Sequence, residues 1–473
     1  MTTTRDSATG TTTAVSPEPL RTSMRGPVLA PGEPGYDDAR SVWNASIDRS
    51  PALIAQPTGV ADVITAVRFA NQHDLPVAVR GGGHSFAGLG TCDGGLLVDL
   101  ALMNGIRVDP ASHTAVAQGG VTWGALDHET AAFGLATTGG EVSTTGIAGL
   151  SLGGGIGWLA RKHGLACDNV ISADVVTAAG ELLHVDAQEH PDLFWALRGG
   201  GGNFGVVTAL EYRLHPVSTV FGGMLLYPAD AAAAVLSFYE QHSAHEPDEL
   251  CTLLELATAP DIDGVDAEFR GQPVIALALC YSGPIADGEA AITAWRDIAP
   301  VVADFVEPMP YVELQQMYDE DFPRGLWSYM KSHYVDDLSS LAVNVLTAAG
   351  ATRPTDRCFV DVHHLEGAPT RVAADATAFD QRKARYLIMF GGVCEGAGEM
   401  DACRAWAREH WSALAAHGTG QTYVNFMSDA DSAAVHAAWG TEKYERLVAV
   451  KDRYDPENRF RFNHNIAPSP RLA

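Results

Sequence analysis

The chain has 473 residues, of which 46% are hydrophobic and 19% are charged, and it carries a formal net charge of −27. This length and composition predict a large soluble enzyme that buries a sizeable core, organised in two domains. The strong negative charge argues against nucleic acid or an anionic membrane surface as a partner, and no apolar run approaches the roughly 20 residues that a membrane-spanning helix needs.

The cysteines and the N-terminal residues bear on the compartment of the protein. Seven cysteines are scattered along the chain and form no C-x-x-C pair, so neither a disulfide framework nor a zinc site is predicted. Residues 1–34 are rich in Thr, Ser, Pro and Gly and lack the apolar core of a signal peptide. The composition of residues 1–34 predicts a disordered tail, and the lack of a signal peptide predicts a cytoplasmic protein. No metal site is predicted.

Regular structure is predicted to begin near Trp43. A strand at 52–55, a helix with apolar residues at helical spacing over 60–67, and a strand at 75–79 form a β-α-β start. Further strands are predicted at 96–100, 114–118, 170–177, 182–185 and 206–214. After Pro216 the glycine clusters thin out, which we interpret as a domain boundary. Beyond it, strands alternate with Ala-rich helices that include 231–240 and 402–416.

Residues 80–85 (RGGGHS) follow the apolar run 75–79, which is predicted to be a buried strand. Three successive glycines present backbone N–H groups without side chains, so such a turn can hold a diphosphate. His84 comes directly after them, and a neutral imidazole is a nucleophile. A loop that holds a dinucleotide and presents a histidine to it indicates a covalently attached flavin. The alternative is a tight turn with an ordinary surface histidine.

Two later glycine clusters, at 146–157 and 198–205, point to the same kind of ligand contact. Each glycine costs about 1 kcal/mol inside a helix, so the first cluster is expected to form neither helix nor strand. Flexible linkers are the alternative, although Phe, Trp and Val flank the second cluster. Residues 149–153 also match the G-x-S-x-G of α/β-hydrolases, and 155–160 partly match a dinucleotide fingerprint. No strand leads into either segment, which disfavours a hydrolase and a nicotinamide dehydrogenase.

A candidate pocket wall lies in residues 358–363 (CFVDVH). In a strand, alternation places Asp361 and His363 on one face and Val360 and Val362 on the other. Two ionisable groups on one face of an otherwise apolar strand are candidates for general acid–base chemistry. The alternative is a solvated strand face.

Several of these segments resemble the FAD-linked oxidases of the berberine-bridge-enzyme type, which belong to the vanillyl-alcohol-oxidase superfamily. The segments are 80–85, 145–157, 164–169, 192–201, 203–208, 454–460 and 463–466. They occur in the family's order, and the likeness runs from about Trp43 to Pro468. The resemblance implies an α+β, two-domain FAD-binding fold whose substrate domain has an antiparallel sheet flanked by helices. The expected units are 40–220 for FAD, 221–420 for the substrate and 421–473 for a C-terminal return to the FAD-binding domain.

The resemblance implies that FAD is attached covalently, through His84 only. His84 stands where the family's histidine bonds to the 8α-methyl carbon of the isoalloxazine, whereas the position of the family's second, cysteinyl attachment is Val142 here. The residues expected to bind FAD are Arg80, Gly81, Gly82, Gly83, His84, Ser85, Thr145, Gly146, Gly149, Leu150, Gly154, Gly157, Val207, Asn425, Asn463 and Asn465.

The catalytic base is harder to assign from the resemblance. Phe426 and Phe86 stand where many members of the family have tyrosines, so no phenolate is available at either position. Tyr423, which begins a Tyr-x-Asn-aromatic segment similar to the family's, is the first candidate. His363 and then Asp361 follow it in order of preference.

The resemblance implies oxidation of a small organic molecule, a secondary metabolite, with hydride passed to FAD and then to O2. Thr145 and Leu150 match positions that border an oxygen pocket in one relative, which favours an oxidase. The alternatives are a flavin-N5-oxide oxygenase in a biosynthetic pathway, a flavin dehydrogenase that uses another acceptor, and a flavin-binding protein without turnover. The protein is expected to be a monomer or a homodimer.

Overall fold

The computed structural model describes residues 15–429 and 431–470. The strands of these residues are β1 (Val28–Leu29), β2 (Leu53–Ala55), β3 (Val77–Arg80), β4 (Leu96–Asp99), β5 (Ile106–Asp109), β6 (Thr114–Gln118), β7 (Leu135–Ala136), β8 (Val170–Val176), β9 (Leu182–Val185), β10 (Val206–Arg213), β11 (His215–Pro216), β12 (Thr219–Pro228), β13 (Leu250–Thr258), β14 (Pro273–Tyr281), β15 (Ala303–Asp304), β16 (Glu307–Pro310), β17 (Trp327–Val335), β18 (Phe359–His364) and β19 (Tyr386–Cys394).

The helices of the same residues are α1 (Glu18–Ser23), α2 (Tyr36–Arg40), α3 (Val60–Gln72), α4 (Trp123–Ala131), α5 (Ile147–Leu152), α6 (Ala160–His163), α7 (Pro191–Leu197), α8 (Ala232–His242), α9 (Ile285–Arg296), α10 (Tyr311–Leu314), α11 (Ser340–Ala351), α12 (Ala368–Arg371), α13 (Ala397–Leu414) and α14 (Ser432–Tyr454). α14 is kinked at Gly440, where φ is 67°. Within the described ranges, none of these helices combines the length and the apolar character needed to cross a bilayer.

The described residues of the first half of the chain build a four-stranded and a five-stranded sheet, and β7 pairs with β11 in a third, two-stranded sheet. β1, β2, β4 and β3 lie side by side in that order, and β2 and β3 both run parallel to β4, with α3 as the crossover that a parallel arrangement requires. β5, β6, β10, β8 and β9 form a second sheet that is antiparallel throughout. β6 and β9 have the bounds that the alternation predicts.

A sheet of eight described strands occupies the second half of the chain. Its order is β15, β12, β14, β13, β18, β19 and β17, with β16 also paired to β12, and all of its pairs are antiparallel. One face carries side chains such as Leu254, Val360 and Ile388, which share a core with α8, α9, α11 and α13. Because side chains alternate along a strand, the neighbouring positions face the other way, toward the first half of the chain.

The prediction of a disordered tail over 1–34 is wrong for residues 15–34, and residues 1–14 lie outside the described residues. α1 and β1 form there, and β1 pairs with β2. Leu20 is fully buried in the core around the first sheet, and Val28 joins it. A few well-placed apolar side chains thus outweigh a composition rich in Thr, Ser and Pro.

The expectation that residues 146–157 form neither helix nor strand is also wrong, because α5 occupies half of this segment. Ile147 and Leu152 are buried in the core of the second sheet. The hydroxyl groups of Ser151 and Tyr212 lie 2.8 Å apart inside that core. Tertiary packing therefore offsets the unfavourable helix propensity of the glycines.

A buried amide ties the two halves of the molecule together. Asn44 has no solvent exposure. Its Nδ2 donates to the carbonyl oxygens of Phe86 and Ser328, both at 2.8 Å, and its Oδ1 accepts from the Ser328 N–H at 3.1 Å. Phe86 lies two residues after His84 and Ser328 lies in β17, so this side chain joins the glycine loop to the large sheet.

Candidate active site

The loop that follows β3 brings bare backbone against a second glycine turn. Gly82 lies so close to Gly146 that a Cβ built on either glycine overlaps the backbone nitrogen of the other. Gly83 adopts a φ of 75°, in the left-handed region that favours glycine. Side chains are excluded where the two loops meet, so backbone groups line the space beside them.

His84 lies at the end of this loop with its ring held on several sides. The ring stacks on Trp43 with 5.2 Å between the ring centroids. Thr144 Oγ1 lies 3.0 Å from Nε2, and Thr145 Oγ1 lies 3.3 Å from Nδ1. Burial, with a smaller effect from the charge of Arg324, lowers the pKa of His84 to about 4. The imidazole is therefore neutral near pH 7, which is its nucleophilic form.

One continuous cavity extends from this loop to the large sheet. The residues predicted to bind FAD that line it are Arg80, Gly81, Gly82, Gly83, His84, Ser85, Thr145, Gly146, Gly149, Leu150, Val207, Asn425 and Asn463. Val142 lines it as well. Thirteen of the sixteen predicted positions thus meet around one space, although they come from distant parts of the sequence.

Gly154, Gly157 and Asn465 are not among the described residues that line the cavity. A Cβ on Gly154 would come within 2.7 Å of the Phe379 ring, and a Cβ on Gly157 would overlap the carbonyl oxygen of Gly139. The two glycines allow one part of the chain to pack against another, which is a structural reason for glycine that the sequence does not separate from ligand contact.

The side chain of Arg80 is held by the protein itself. Its guanidinium forms a buried ion pair with Asp99, with Nη2 2.7 Å from Oδ2, and it also donates to the Ser41 carbonyl at 3.1 Å. These contacts fix the loop at the ends of β3 and β4. Arg80 therefore shapes the base of the glycine loop.

Of two asparagines near the C-terminus, Asn463 faces the cavity and fits a large polar ligand there. Asn463 Nδ2 donates to the carbonyl oxygens of Gly202 at 3.2 Å and Phe460 at 2.9 Å. Within the described part of the chain, the buried Oδ1 atoms of Asn463 and Asn465 have no hydrogen-bond partner. A buried acceptor without a donor costs about 1–3 kcal/mol. Asn463 lines the cavity, so the hydroxyl and N–H donors of FAD would satisfy its Oδ1, and the glycine loops leave room for the diphosphate. The residues present therefore fit this cofactor.

The hydroxyl of Tyr423 is engaged by the glycine turn. It accepts hydrogen bonds of 2.8 Å from the Gly155 N–H and from Asn425 Nδ2. Asn425 Nδ2 also donates to the Leu150 carbonyl at 3.1 Å. Burial raises the pKa of Tyr423 above its usual range. Because the effect of burial exceeds that of the two donors, the hydroxyl stays protonated near neutral pH, which favours a positioning role for Tyr423 over proton abstraction.

Two strands of the large sheet place carboxyl groups side by side at the far wall of the cavity. Glu255 on β13 and Asp361 on β18 are directly opposite each other in antiparallel register, and both line the cavity. Burial raises the pKa of Glu255 to about 7. Burial, with the charges of Glu255 and Glu141, raises the pKa of Asp361 well above its usual range. Adjacent buried carboxyls of this kind can hold and release a proton near neutral pH.

Further polar groups surround this pair. The Tyr318 hydroxyl donates to Glu255 Oε2 at 2.5 Å. His363 Nδ1 lies 3.4 Å from Glu141 Oε1, and its Nε2 lies 3.9 Å from Asp361 Oδ2. His363 is not among the described residues that line the cavity. Of the three predicted catalytic residues, Asp361 and Tyr423 line the cavity, and His363 lies behind Asp361.

The sequence-based analysis missed several residues of this cavity, among them Glu255, Glu141, Tyr318 and His464. Glu255 had a readable signal, because it is a lone carboxylate in the apolar strand Leu250–Thr258. His464 is adjacent to predicted positions, and burial lowers its pKa to about 4. Glu141 and Tyr318 carry no local pattern that distinguishes them from surface residues.

Two family models match parts of the chain. A model described as "FAD binding domain" matches residues 51–186, and a model described as "Berberine and berberine like" matches residues 422–467. The first match includes the glycine loop and His84, and the second includes Tyr423, Asn425 and Asn463.

Two curated relatives span nearly the whole chain. An FAD-linked oxidoreductase of Dictyostelium discoideum is 32% identical over 451 residues, which cover 94% of this chain and 95% of the relative. The (R)-6-hydroxynicotine oxidase of Paenarthrobacter nicotinovorans is 33% identical over 463 residues, which cover 94% of this chain and 97% of the relative.

Two solved structures superpose on nearly the whole chain. 6-Hydroxy-D-nicotine oxidase from Arthrobacter nicotinovorans superposes with a TM-score of 0.85 and 30% identity, over 94% of this chain and 99% of that one. BBE-like 1 from Physcomitrella patens superposes with a TM-score of 0.86 and 24% identity, over 97% of this chain and 100% of that one. The predicted α+β, two-domain fold is confirmed by these likenesses.

Proposed function

Because this chain belongs to the berberine-bridge-enzyme-like family of FAD-linked oxidoreductases, we propose that it oxidises a small organic molecule with covalently bound FAD and with O2 as the final acceptor. The observation that carries the proposal is the position of His84. Its neutral ring stands beside a backbone-lined cleft, and the same cavity reaches a pair of buried carboxyl groups. The residue proposed to attach FAD and the groups proposed to accept a proton thus lie along the same cavity.

In this proposal, the glycine loops and the C-terminal asparagines hold FAD. Gly82, Gly83 and Gly146 leave backbone open to the diphosphate, as bare N–H groups do in other anion sites. The unpaired Oδ1 of Asn463 accepts from the cofactor. Arg80, fixed by its ion pair with Asp99, holds the loop in the shape that binding needs.

The residues at the two positions where the family attaches flavin support a single covalent bond to FAD. His84 can add to the 8α-methyl carbon, since its imidazole is neutral and is held by Trp43, Thr144 and Thr145. Val142 lines the cavity at the position of the family's cysteine and offers no sulfur. The attachment is therefore through His84 only.

When bound, FAD accepts a hydride from the substrate and passes the electron pair to O2. The protein's part is to orient the substrate and to take its proton. Asp361 and Glu255 lie at the cavity wall in the register that places them next to each other, and the Tyr318 hydroxyl donates to Glu255. We assign proton acceptance to this pair, with His363 and Tyr423 as positioning residues.

The assignment of O2 as acceptor depends on Thr145 and Leu150, the two positions that match an oxygen pocket in one relative. Both line the cavity, and Thr145 Oγ1 also contacts the ring of His84. Reduced enzyme that recovers its yellow colour in air supports the oxidase. Reduced enzyme that stays bleached in air identifies a dehydrogenase.

Acid precipitation tests the attachment directly. We expect the purified protein to keep its yellow colour in the pellet and to give a fluorescent band on a denaturing gel. His84→Ala should release all flavin into the supernatant, whereas His128→Ala, which changes an exposed histidine of α4, should release none. Covalent flavin in the His84→Ala protein, or a cysteinyl flavin peptide by mass spectrometry, would overturn the assignment.

A further inference from the structure

We propose that Cys358 and Cys403 are a peroxide-sensitive dithiol, which hydrogen peroxide oxidises to a disulfide bond that fastens α13 to the start of β18. Cys358 directly precedes β18, and Cys403 lies in α13. Both side chains belong to the core on the helix-covered face of the large sheet, and neither is among the described residues that line the cavity. The dithiol thus lies outside the site of the proposed function.

The two sulfur atoms are already neighbours in the folded protein. Cys358 Sγ lies 3.6 Å from Cys403 Sγ, although 45 residues separate them in the chain, and both side chains are fully buried. Gly392 of β19 allows this approach, because a Cβ there would come within 2.7 Å of the Cys403 carbonyl oxygen. A disulfide bond holds its sulfurs about 2.0 Å apart. A small further approach of the two side chains therefore suffices to form it.

The contacts of the two thiols give them different roles. Thr355 Oγ1 lies 3.2 Å from Cys358 Sγ, and the Val393 carbonyl oxygen lies 3.5 Å from it. Hydrogen bonding from the Cys403 thiol, opposed by burial and supported by Thr355, lowers the pKa of Cys358 below the usual thiol range. The same contact raises the pKa of Cys403. Cys358 is therefore the sulfur that attacks peroxide, and Cys403 is the one that resolves the product.

A second pair of cysteines shows that proximity of two strands does not by itself make a reactive dithiol. Cys251 on β13 and Cys280 on β14 are directly opposite each other in antiparallel register. Cys251 Sγ is directed instead to the Gly157 carbonyl oxygen, at 3.8 Å. Burial raises the pKa of both thiols, and a thiol that stays protonated reacts slowly with peroxide. This pair is therefore an internal control for the first.

The dithiol is buried, but it lies beneath an edge of the large sheet. Pro354 and Asp356, which precede Cys358, are exposed. Glu395 and Ala397, which connect β19 to α13, are exposed as well. Hydrogen peroxide is little larger than water, so local opening of this edge admits it.

The oxidation is balanced by one molecule of hydrogen peroxide. The Cys358 thiolate attacks one oxygen, an S–O bond forms and the O–O bond breaks, and the leaving hydroxide takes up the proton that Cys358 had released. The Cys403 sulfur then attacks the sulfenic sulfur, and its proton leaves with the displaced hydroxide as water. Two thiols lose two electrons and two protons, and the peroxide becomes two waters. In the proposed function, reoxidation of the flavin by O2 is a source of peroxide.

Peptide mapping of the purified protein tests the dithiol. The protein is treated with excess hydrogen peroxide, the remaining thiols are alkylated without reduction, and the chain is cleaved after Lys, Arg and Glu. Cleavage after Glu395 and Glu399 separates Cys394 from Cys403. We expect a peptide pair cross-linked through Cys358 and Cys403, which dithiothreitol separates. The absence of this pair, or its replacement by a cross-link through Cys394, would overturn the inference.

The same digest contains the internal control. Cys251 and Cys280 should be recovered in the alkylated form, because burial keeps both thiols protonated. Oxidation of these two thiols as fast as that of Cys358 would overturn the inference, since it would show general oxidation rather than a selective pair.

Variants separate the two roles. Cys403→Ala removes the resolving sulfur, so oxidation should stop at the sulfenic acid of Cys358, which dimedone traps. Cys394→Ala is the matched control, because Cys394 Sγ contacts the Gly396 carbonyl oxygen at 3.4 Å and Met400 Sδ at 3.8 Å, and this variant should form the disulfide as the wild type does. Loss of the disulfide in Cys394→Ala would contradict the assignment of the pair.

Thermal unfolding tests whether the bond fastens α13. The disulfide closes a loop of 45 residues, which restricts the unfolded chain, so the Tm of the peroxide-treated wild type should rise by several degrees. Peroxide should not raise the Tm of Cys403→Ala. A cross-linked wild type with an unchanged or lower Tm would overturn the stabilising role of the bond.

Discussion

The two ends of the cavity are built in different ways. At the end beside the glycine loop, segments 80–85 and 145–150 meet through backbone at Gly82 and Gly146, where a Cβ on either residue would overlap the other. The end at the large sheet is made of side chains, Glu255 and Asp361 among them, which neighbouring strands bring together from positions more than a hundred residues apart. A backbone site leaves a local pattern in the sequence, whereas a side-chain site leaves almost none.

The two ends of the cavity are also expected to respond differently to amino-acid substitution. At the glycine end, an added atom meets fixed backbone, so substitutions are expected to prevent cofactor binding altogether. At the carboxyl end, isosteric substitutions fit the space, so they are expected to change rates and affinities in a protein that still binds flavin. Substitutions at both ends can test whether one end controls cofactor binding and the other controls rates and affinities.

The largest expected effect is at the glycine end. Gly82→Val places a branched side chain against the backbone of Gly146, so we expect folded protein that is purified without flavin. Flavin content is measured from the ratio of visible to ultraviolet absorbance. Gly59→Val is the matched control, because a Cβ there meets nothing within 4 Å, and it should load fully. Full loading of Gly82→Val would show that residues 81–83 form only a turn.

At the carboxyl end, Asp361→Asn should slow anaerobic reduction of the flavin by substrate by about 10²–10⁴-fold, because it breaks the carboxyl pair to which we assign proton acceptance. Reoxidation by air should not change. Tyr423→Phe removes a hydroxyl that is already engaged by Gly155 and Asn425, so it should slow reduction far less. Stopped-flow absorbance measures both steps. The reverse order of the two effects would return Tyr423 to the role of base.

A smaller effect is expected from pH. Glu255 must be deprotonated to accept a proton, and burial raises its pKa to about 7. The reductive kcat/KM should therefore fall as pH is lowered through about 7, by about tenfold per pH unit below it. The titratable groups around Glu255 are Asp361, Asp321, Glu141, His363 and Tyr318. Glu255→Gln should remove this inflection, and an unchanged profile in that variant would assign it to another group.

Much of the fold follows from patterns within one segment. β6 and β9 have the bounds that the alternation predicts, and the β-α-β start is present because apolar periodicity marks both its strands and its helix. α1 and α5 were missed for a common reason. Each has only six residues and lies in a segment rich in Gly, Pro, Ser or Thr, and each is stabilised by burial of side chains such as Leu20 and Ile147 in cores formed by other segments.

The same reasoning explains which parts of the site could be predicted. The sequence predicts His84 because a glycine run next to a histidine is a local signal, and His84 lines the cavity. Glu255 was missed because its role depends on Asp361 as its cross-strand neighbour, and pairing between β13 and β18 cannot be inferred from either strand alone. Gly157 was overassigned to the cofactor, since a glycine that admits the Gly139 carbonyl looks the same in sequence as one that admits a ligand.

The side chain of Asn44 has a consequence for the timing of catalysis. Its amide joins Phe86 in the glycine loop to Ser328 in β17, so the spacing between the two ends of the cavity is set when the chain folds. In the proposed function, FAD accepts the hydride and the Glu255–Asp361 pair accepts the proton. The entropy cost of holding these two groups in position is met when the protein folds, before any substrate binds. In the proposed function, each turnover would then begin with the two acceptors already aligned, so that only the substrate remains to be ordered.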